Sequence, residues 1–187
     1  MTQARLILIK HAQPQIDPDV PSALWVLGEE GRAAAAEMGR RLQGLGAKAV
    51  ISSTEPKAVE TGQIIARALG LTATADEDFG ETKRETVGFL PREAFDAGIC
   101  KFFAEPVDLV FGEETADQAY ERFSAAIDRH EAAGEGPLII AAHGTVISLF
   151  LSRRTGADAM ETWRSLQLPH ALVLGFDLQL IDSVTTA

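Results

Sequence analysis

Short apolar runs alternate along the chain with longer segments whose apolar residues recur at helical spacing. The short runs, rich in Ile, Leu and Val, predict strands, and the amphipathic segments predict helices. Strands are predicted over Arg5–Ile9, Lys48–Ser52, Leu71–Ala75, Pro137–Ala142 and Leu172–Phe176. Helices are predicted over Gly28–Leu45, Thr54–Leu69, Arg92–Phe103, Glu113–Ala133 and Thr145–Arg154. This alternation predicts an α/β fold: a three-layer sandwich with a largely parallel central sheet and helices on both faces.

Length and composition fit one domain. The chain has 187 residues, of which 46% are hydrophobic and 24% charged, as in ordinary folded proteins. Neither an internal repeat nor a low-complexity linker interrupts the pattern. We therefore predict a single domain over residues 1–187. Residues 76–112, which begin with a polar stretch containing glycine, are expected to form a lid or insertion over one edge of the sheet.

Charge and cysteine content narrow the partners and the compartment. The formal net charge of −10 argues against binding nucleic acid or an anionic membrane through a general basic face, although a local cluster of cations can still hold a small anion. Cys100 is the one cysteine, so no internal disulfide can form, which fits the reducing cytoplasm. The sequence shows no signal-peptide pattern and no apolar run of membrane-spanning length, so a cytoplasmic location is expected.

Two of the predicted strands end in histidine. The first runs into Lys10-His11-Ala12 and the fourth into His143-Gly144-Thr145. Ligands of open parallel sheets bind outside the carboxyl ends of the strands, so both histidines are expected at one crevice. The small residues that follow them leave room for a ligand to approach. A lone histidine at a strand end is usually an ordinary surface or core residue, but two such ends together favour a site.

The segment Ser52–Thr61 passes from a strand into a helix and suggests an anion site. Thr54 is expected to cap this helix, and free N–H groups at a helix start attract anions. Lys57 in the first turn opposes the helix dipole, which makes sense if an anion is bound there. Otherwise Lys57 extends to solvent or pairs with Glu55 or Glu60.

Taken in order, these segments resemble the motifs of the histidine phosphatase superfamily, also called phosphoglycerate mutase-like. Lys10-His11-Ala12 is similar to its Arg-His-Gly motif, and Ser52–Thr61 to Ser-Ser-x-x-x-Arg-Ala-x-x-Thr, with Lys57 in the arginine position. Further matches are Leu27–Gly31, Phe79-Gly80-Glu81, Gly112–Thr115 and Ala142-His143-Gly144. The resemblance spans Arg5 to Phe176. The chain departs from it by carrying lysine at both arginine positions and Ala12 for glycine.

The resemblance implies a role for each residue of the crevice. His11 would be the nucleophile that is transiently phosphorylated, and His143 would hydrogen bond to the phosphoryl group. Glu81 would be the general acid and then the base, with Glu85 as a rival. The expected phosphate-binding residues are Lys10, Lys57, Ser53, Gln13 and Gly144, and Thr145 is a further donor. Weaker site candidates are Arg84, Trp25 and His170.

Lys10 and Lys57 are expected to keep His11 neutral and to hold the phosphoryl oxygens. As a point charge, however, lysine lacks the planar fork with which arginine grips phosphate. Two histidines and a glutamate could also ligate zinc. The adjacent lysines would repel a cation, so no metal and no cofactor are expected. Phenylalanines between residues 79 and 103 either pack the lid or line an apolar pocket, and packing is the favoured interpretation.

The function implied is a metal-independent phosphatase that hydrolyses a phosphomonoester through phosphohistidine on His11. Its partner would be a small phosphorylated substrate or a phosphoprotein. Two alternatives stay open: a phosphoglycerate-type mutase, and a non-catalytic module that binds a phosphate ligand, because lysine replaces both arginines. The oligomeric state cannot be inferred from the sequence.

Overall fold

The computed structural model describes residues 4–134 and 136–186. Over these residues the strands are β1 (Leu6–Lys10), β2 (Ala49–Ser52), β3 (Ala73–Ala75), β4 (Leu138–Ala142), β5 (His170–Leu174) and β6 (Leu180–Thr185). The α-helices are α1 (Glu29–Arg41), α2 (Pro56–Ala68), α3 (Arg92–Ala104), α4 (Ala116–Ala133), α5 (Gly144–Thr155) and α6 (Ala159–Ser165). Short 3-10 turns lie at Ser22–Leu24, Glu77–Phe79 and Glu85–Val87.

The strands form one sheet in the order β3-β2-β4-β1-β5-β6. The first four in that order are mutually parallel, whereas β5 runs antiparallel to β1 and β6 antiparallel to β5. The predicted α/β fold with a largely parallel sheet is therefore confirmed, with an antiparallel addition at one edge.

Both faces of the sheet are covered because its central strands are apolar on both sides. In β1, Leu6 and Leu8 pack with α3, α4 and α5 in one core cluster, while Ile7 and Ile9 pack with α1 and α2 in another. The β4 strand is buried along its whole length. This pattern of continuous burial is typical of parallel strands between two helical layers.

Several predicted boundaries differ from the structure. The N-cap of α2 is Glu55 and not Thr54, and no side chain caps that helix. The helix α6 and the exposed edge strand β6 were not predicted; α6 has only 7 residues, too few to show a clear helical period. Within residues 76–112, helix α3 buries Ile99 and Phe102 in the core, whereas the stretch before it borders a cleft. None of the described helices is long and apolar enough to cross a membrane.

Candidate active site

The sheet brings His11 and His143 together because their strands are neighbours in register. Lys10 of β1 lies opposite Ala142 of β4, so the next residue of each strand is the histidine. The N–H of His11 donates to the carbonyl oxygen of Ala142 at 3.0 Å. The two imidazole centroids are 5.2 Å apart, and both rings are buried. Two histidines 132 positions apart in the sequence thus share one site at the carboxyl ends of the strands.

The contacts of His11 fix its tautomer. Nδ1 lies 2.8 Å from the carbonyl oxygen of Ala12, which can only accept, so Nδ1 carries the proton. Nε2 then presents a lone pair. Burial lowers the pKa of His11 well below its usual value, and the nearby His143 and Lys57 lower it further. A neutral imidazole with one free nitrogen is the form that can act as a nucleophile.

Nε2 of His143 has two polar neighbours. It lies 2.8 Å from Oγ of Ser53 and 3.2 Å from Oε1 of Glu55. Burial, reinforced by the charge of Lys57, lowers the pKa of His143 to about 3, so the ring is neutral. A neutral ring that donates from Nε2 to the Glu55 carboxylate keeps a lone pair on Nδ1. That atom is buried and has no hydrogen-bond partner among the residues described here.

Glu55 links three parts of the site through its carboxylate. It forms an ion pair with Lys57 and lies beside His143, and its Oε1 accepts the backbone N–H of Glu81 at 2.9 Å. Lys57 is itself only 5% exposed and also donates to the carbonyl oxygen of Ser22 at 2.7 Å. Sequence reasoning named Glu55 only as one partner of Lys57. Its position at the start of α2, next to the strand end, was the signal that could have placed it in the site.

Glu81 is held against the start of α5. Its Oε2 accepts the N–H of Thr145 at 3.2 Å, and its Oε1 accepts the N–H of Thr82 at 2.9 Å. Burial raises the pKa of Glu81, but Arg84, His143 and the Thr82 N–H outweigh it, and the pKa is lowered overall. The rival Glu85 is exposed and lies in a 3-10 turn farther along. Of the two predicted candidates, the geometry therefore favours Glu81 over Glu85 as a carboxylate of the site.

A partly buried arginine on α4 fixes the loop that carries Glu81. Arg122 pairs with Glu114 at 2.9 Å and donates to the carbonyl oxygens of Asp78 and Gly80 at 2.7 and 3.1 Å. Glu114 also accepts the N–H of Lys83 at 3.2 Å. The segment Gly112–Thr115, matched as a motif in the sequence, thus positions this loop and does not itself reach the histidines.

The remaining phosphate-binding candidates border the same site. Lys10 donates to the carbonyl oxygen of Leu166 at 2.9 Å, and burial lowers its pKa. Ser53 also accepts the N–H of Glu55 at 3.1 Å, and half-buried Gln13 donates to the carbonyl oxygen of Pro14 at 3.3 Å. Gly144 is the first residue of α5, and an added Cβ there would lie 3.4 Å from Cε of Lys10.

The three weaker candidates divide between the site and the sheet edge. Arg84 and Trp25 line the cleft; the Arg84 guanidinium lies 5.2 Å from the centre of the Phe95 ring. His170 lies in β5, with Nε2 at 2.7 Å from Oγ of Ser183 and Nδ1 accepting the N–H of Gln167 at 3.2 Å. These contacts satisfy both of its ring nitrogens away from His11 and His143, so the structure supports the ordinary interpretation of His170.

The two histidines line a cleft of about 980 Å³. Its walls come from the loop after β1, the start of α2 and the stretch from Glu77 to Phe95. In the part of the chain that the structure describes, no group of three or more His, Cys, Asp or Glu side chains is arranged to hold a metal ion. The arrangement combines a neutral imidazole with a free nitrogen, lysine ammonium groups and a carboxylate, which together suit transfer of a phosphoryl group.

Comparison with known sequences identifies the class of protein. The profile of the histidine phosphatase superfamily (branch 1) matches residues 6–179, and the chain belongs to that superfamily. No curated protein matches it significantly in sequence.

Solved structures of phosphoglycerate mutase-like histidine phosphatases share the fold over almost the whole chain. Mycobacterial hydrolase 1 has a TM-score of 0.72 at 19% identity, covering 98% of each chain. A mycobacterial glucosyl-3-phosphoglycerate phosphatase has 0.71 at 18%, covering 97% of this chain and 96% of its own. YhfR of Bacillus stearothermophilus has 0.72 at 18%, covering 94% of each. Identities this low establish the fold alone.

Proposed function

We propose that this chain is a phosphatase that hydrolyses phosphomonoesters through a phosphohistidine on His11, without a metal ion or cofactor. The carrying observation is the hydrogen bond of 2.8 Å between Nδ1 of His11 and the carbonyl oxygen of Ala12. It leaves Nε2 of a neutral ring free, on a residue that lies beside the second histidine and lines the cleft. Membership of the superfamily and the phosphatases among the structural neighbours support the reaction class.

The reaction runs in two steps. Nε2 of His11 forms a bond to phosphorus as the bond from phosphorus to the leaving oxygen breaks, and Glu81 gives that oxygen a proton. A water molecule then attacks phosphorus while Glu81 accepts its proton, the P–N bond breaks, and inorganic phosphate leaves. Glu81 must first be protonated. An arriving phosphate dianion favours this, because like charges at close range raise the pKa of a carboxyl group.

Lys10 and Lys57 supply the positive charge that the transferring group needs, each as a point charge. His143 contributes the Nε2–H that now faces Ser53 and Glu55. The proposed substrate is a small phosphorylated molecule or a phosphoprotein. The cytoplasm remains the expected compartment, because a chain with the single Cys100 fits a reducing environment.

One observation weighs against the proposed reaction, and it weighs against tight phosphate binding as well. Glu55 pairs with Lys57 and so places a negative charge where phosphate is expected to bind. This carboxylate would weaken the binding of an anion unless the pair opens or rearranges. The experiment must therefore separate binding from turnover.

The test is phosphate release from an aryl phosphate between pH 5 and 8, with and without a chelator, for wild type, His11→Ala and His130→Ala. His130 lies on α4 beside Asp76 and provides a matched histidine control outside the cleft. We expect release to be lost only in His11→Ala, and mass spectrometry of acid-labile phosphate to locate the intermediate on His11. Phosphate binding without phosphorylation of His11 would favour the binding module, and phosphate retained within the substrate would favour a mutase. Dependence of activity on an added metal would contradict the proposed mechanism.

A further inference from the structure

Apolar atoms make up most of the surface that lines the cleft, although charged side chains lie among them. His11 and His143 of the candidate site lie where β1 and β4 terminate. The walls leading away from them come from the loop after β1 and from residues 85–95. The large apolar groups on these walls are Ile16, Leu24, Trp25, Val87, Phe89 and Phe95. The cleft therefore offers histidines and lysines to a phosphoryl group and, in the same opening, a large apolar surface to the rest of a substrate.

Several of these side chains are unusually exposed for their type. Ile16 is 55% exposed, Leu24 60% and Phe89 58%, and all three border the same opening. Scattered exposed hydrophobic residues need no explanation, but apolar side chains gathered around one concave opening mark a ligand-binding surface. A cleft of about 980 Å³ lies at the upper end of the range for small-molecule sites.

Key polar groups on these walls already have partners. The indole N–H of Trp25 donates to the carbonyl oxygens of Asp17 and Val20 at 3.0 and 2.9 Å. The Arg84 guanidinium donates to Oγ1 of Thr82 at 2.7 Å and stacks on Phe95. Trp25 and Arg84 therefore already donate hydrogen bonds within the protein. A sugar bound in this part of the cleft could accept from them only by displacing those hydrogen bonds.

The charged side chains at the rim of the cleft do not favour the binding of a second anionic group on the substrate. Asp19 and Glu85 lie in the lining together with Lys83, and Arg92 is paired with Asp96 at 2.8 Å. Charges of both signs at an exposed rim give little net attraction for a carboxylate or a second phosphate. An uncharged leaving group suits such a surface best.

From this distribution we infer that the substrate is a phosphomonoester of a long, uncharged apolar alcohol. Its carbon skeleton would lie in the cleft against the walls that carry Leu24 and Phe89. The inference rests on the proposed function, because it takes the phosphoryl group to bind at His11. The leaving oxygen would face Glu81, and the apolar skeleton would displace water from side chains that are now exposed.

A series of alkyl phosphates tests the inference. Butyl, hexyl and octyl phosphate have leaving groups of nearly equal basicity, so differences in kcat/KM within the series report contacts with the chain and not leaving-group chemistry. We expect kcat/KM to rise with chain length, by up to about fourfold for each methylene group that becomes buried. Glycerol phosphate, similar in size to butyl phosphate but hydroxylated, is expected to be the poorest substrate. All concentrations are kept below micelle formation.

Matched leucine variants locate the surface. Leu24→Ser is expected to flatten the dependence on chain length, and Phe89→Ser to do the same from the opposite wall. Leu109 is 64% exposed and does not line the cleft, so Leu109→Ser is the control that leaves the dependence unchanged. Substitution of exposed side chains keeps the risk of unfolding low.

Calorimetry with alkyl phosphonates, which cannot be hydrolysed at the P–C bond, separates this inference from the proposed function. Affinity that rises from butyl to octyl phosphonate supports the apolar leaving group even if no phosphate is released, in which case only the proposed reaction fails. Affinity independent of chain length, or preference for glycerol phosphate, overturns the inference while leaving hydrolysis at His11 intact.

Discussion

Glu55 forms a buried ion pair with Lys57 at the start of α2, in the region proposed to bind phosphate. The side chain of Lys57 is 7% exposed and that of Glu55 15%. A pair so shielded from water interacts more strongly than a surface pair, because the effective dielectric constant is lower. The carboxylate thus keeps the ammonium group in place and also sets a negative charge beside an anion site.

Replacing Glu55 by Gln removes that charge and nearly preserves the shape of the side chain. We expect the inhibition constant for inorganic phosphate to fall by roughly tenfold, because repulsion of the anion is relieved. Burial is the largest effect that raises the pKa of Glu81, and repulsion from the Glu55 carboxylate raises that pKa further. Glu55→Gln removes this repulsion, so the pKa of Glu81 should be lower in the variant. Glu81 is proposed to act in its protonated form. Because the variant should lose this proton at lower pH, the alkaline limb of its pH profile of kcat should lie at lower pH than that of the wild type. Phosphate inhibition and the pH profile of kcat measure the two effects.

The same substitution one turn farther along α2 supplies the control. Glu60 pairs with Arg32 and accepts the N–H of Leu27 at 3.2 Å, outside the cleft. Glu60→Gln is expected to leave phosphate inhibition unchanged. Equal effects of Glu55→Gln and Glu60→Gln would contradict a local electrostatic role for Glu55.

The hydrogen bonds of Arg122 predict that its substitution lowers kcat with little change in KM. Arg122→Lys keeps the charge next to Glu114 but loses the fork that also reaches the carbonyl oxygens of Asp78 and Gly80. The loop carrying Glu81 should then be less well positioned. We expect kcat to fall by about tenfold or more while KM changes little, since the proton donor acts in the transition state.

Arg129→Lys is the matched control, because Arg129 also lies on α4 but its side chain is 52% exposed and pairs with Asp76 and Asp78 at the surface. A rise in KM with unchanged kcat for Arg122→Lys would argue that Arg122 serves binding and not the placement of Glu81.

The position of the two histidines could be predicted because it depends on local patterns. A run of apolar residues marks each strand, and the carboxyl ends of parallel strands lie on one side of the sheet. Which strands are neighbours did not need to be known, since any order of parallel strands puts their ends on that side. The confirmed fold follows from the same alternation of strands and helices.

The role of Glu55 could not be read in the same way. Its contacts join the start of α2, the end of β4 and the loop at Glu81, and that loop is fixed by Arg122 on a helix far along the sequence. The phenylalanines show the same limit. Phe79 and Phe102 are fully buried, as the packing interpretation expected, whereas Phe89 lines the cleft at 58% exposure. Residue type and spacing do not distinguish them, because tertiary contacts decide which one is covered.

Gly31 of α1 predicts a steric effect on the loop after the nucleophile. A Cβ at this position would lie 2.1 Å from the backbone carbonyl oxygen of Gln13, so Gly31→Ala must displace that loop. We expect destabilisation of about 1–3 kcal/mol, as for other overpacked sites, and a fall in kcat/KM. Gly28→Ala is the control, because nothing lies within 4 Å of its Cβ. Urea unfolding and kinetics compare the pair, and equal losses in both would show that the close approach is unimportant.

The two buried histidines predict that the protein loses stability below pH 6.5. Burial lowers the pKa of His143 from 6.5 to about 3, and it lowers that of His11 well below 6.5. In this window the unfolded chain binds protons that the folded protein does not, so the free energy of unfolding falls as pH falls. Each histidine contributes a slope of up to about 1.4 kcal/mol per pH unit.

Urea unfolding between pH 7 and 5, above the range in which most carboxylates titrate, isolates this effect. We expect His143→Asn to reduce the slope by up to about 1.4 kcal/mol per pH unit, whatever its effect on absolute stability. Part of the slope remains, because His11 keeps its lowered pKa and burial also lowers that of His170. Since His11 stays neutral as the pH falls, phosphorylation of His11 should persist at pH 5.5 in the protein that remains folded. A slope that is the same in wild type and His143→Asn would mean that His143 takes up protons as readily in the folded protein as in the unfolded chain, and its proposed role as a neutral hydrogen-bond donor would have to be abandoned.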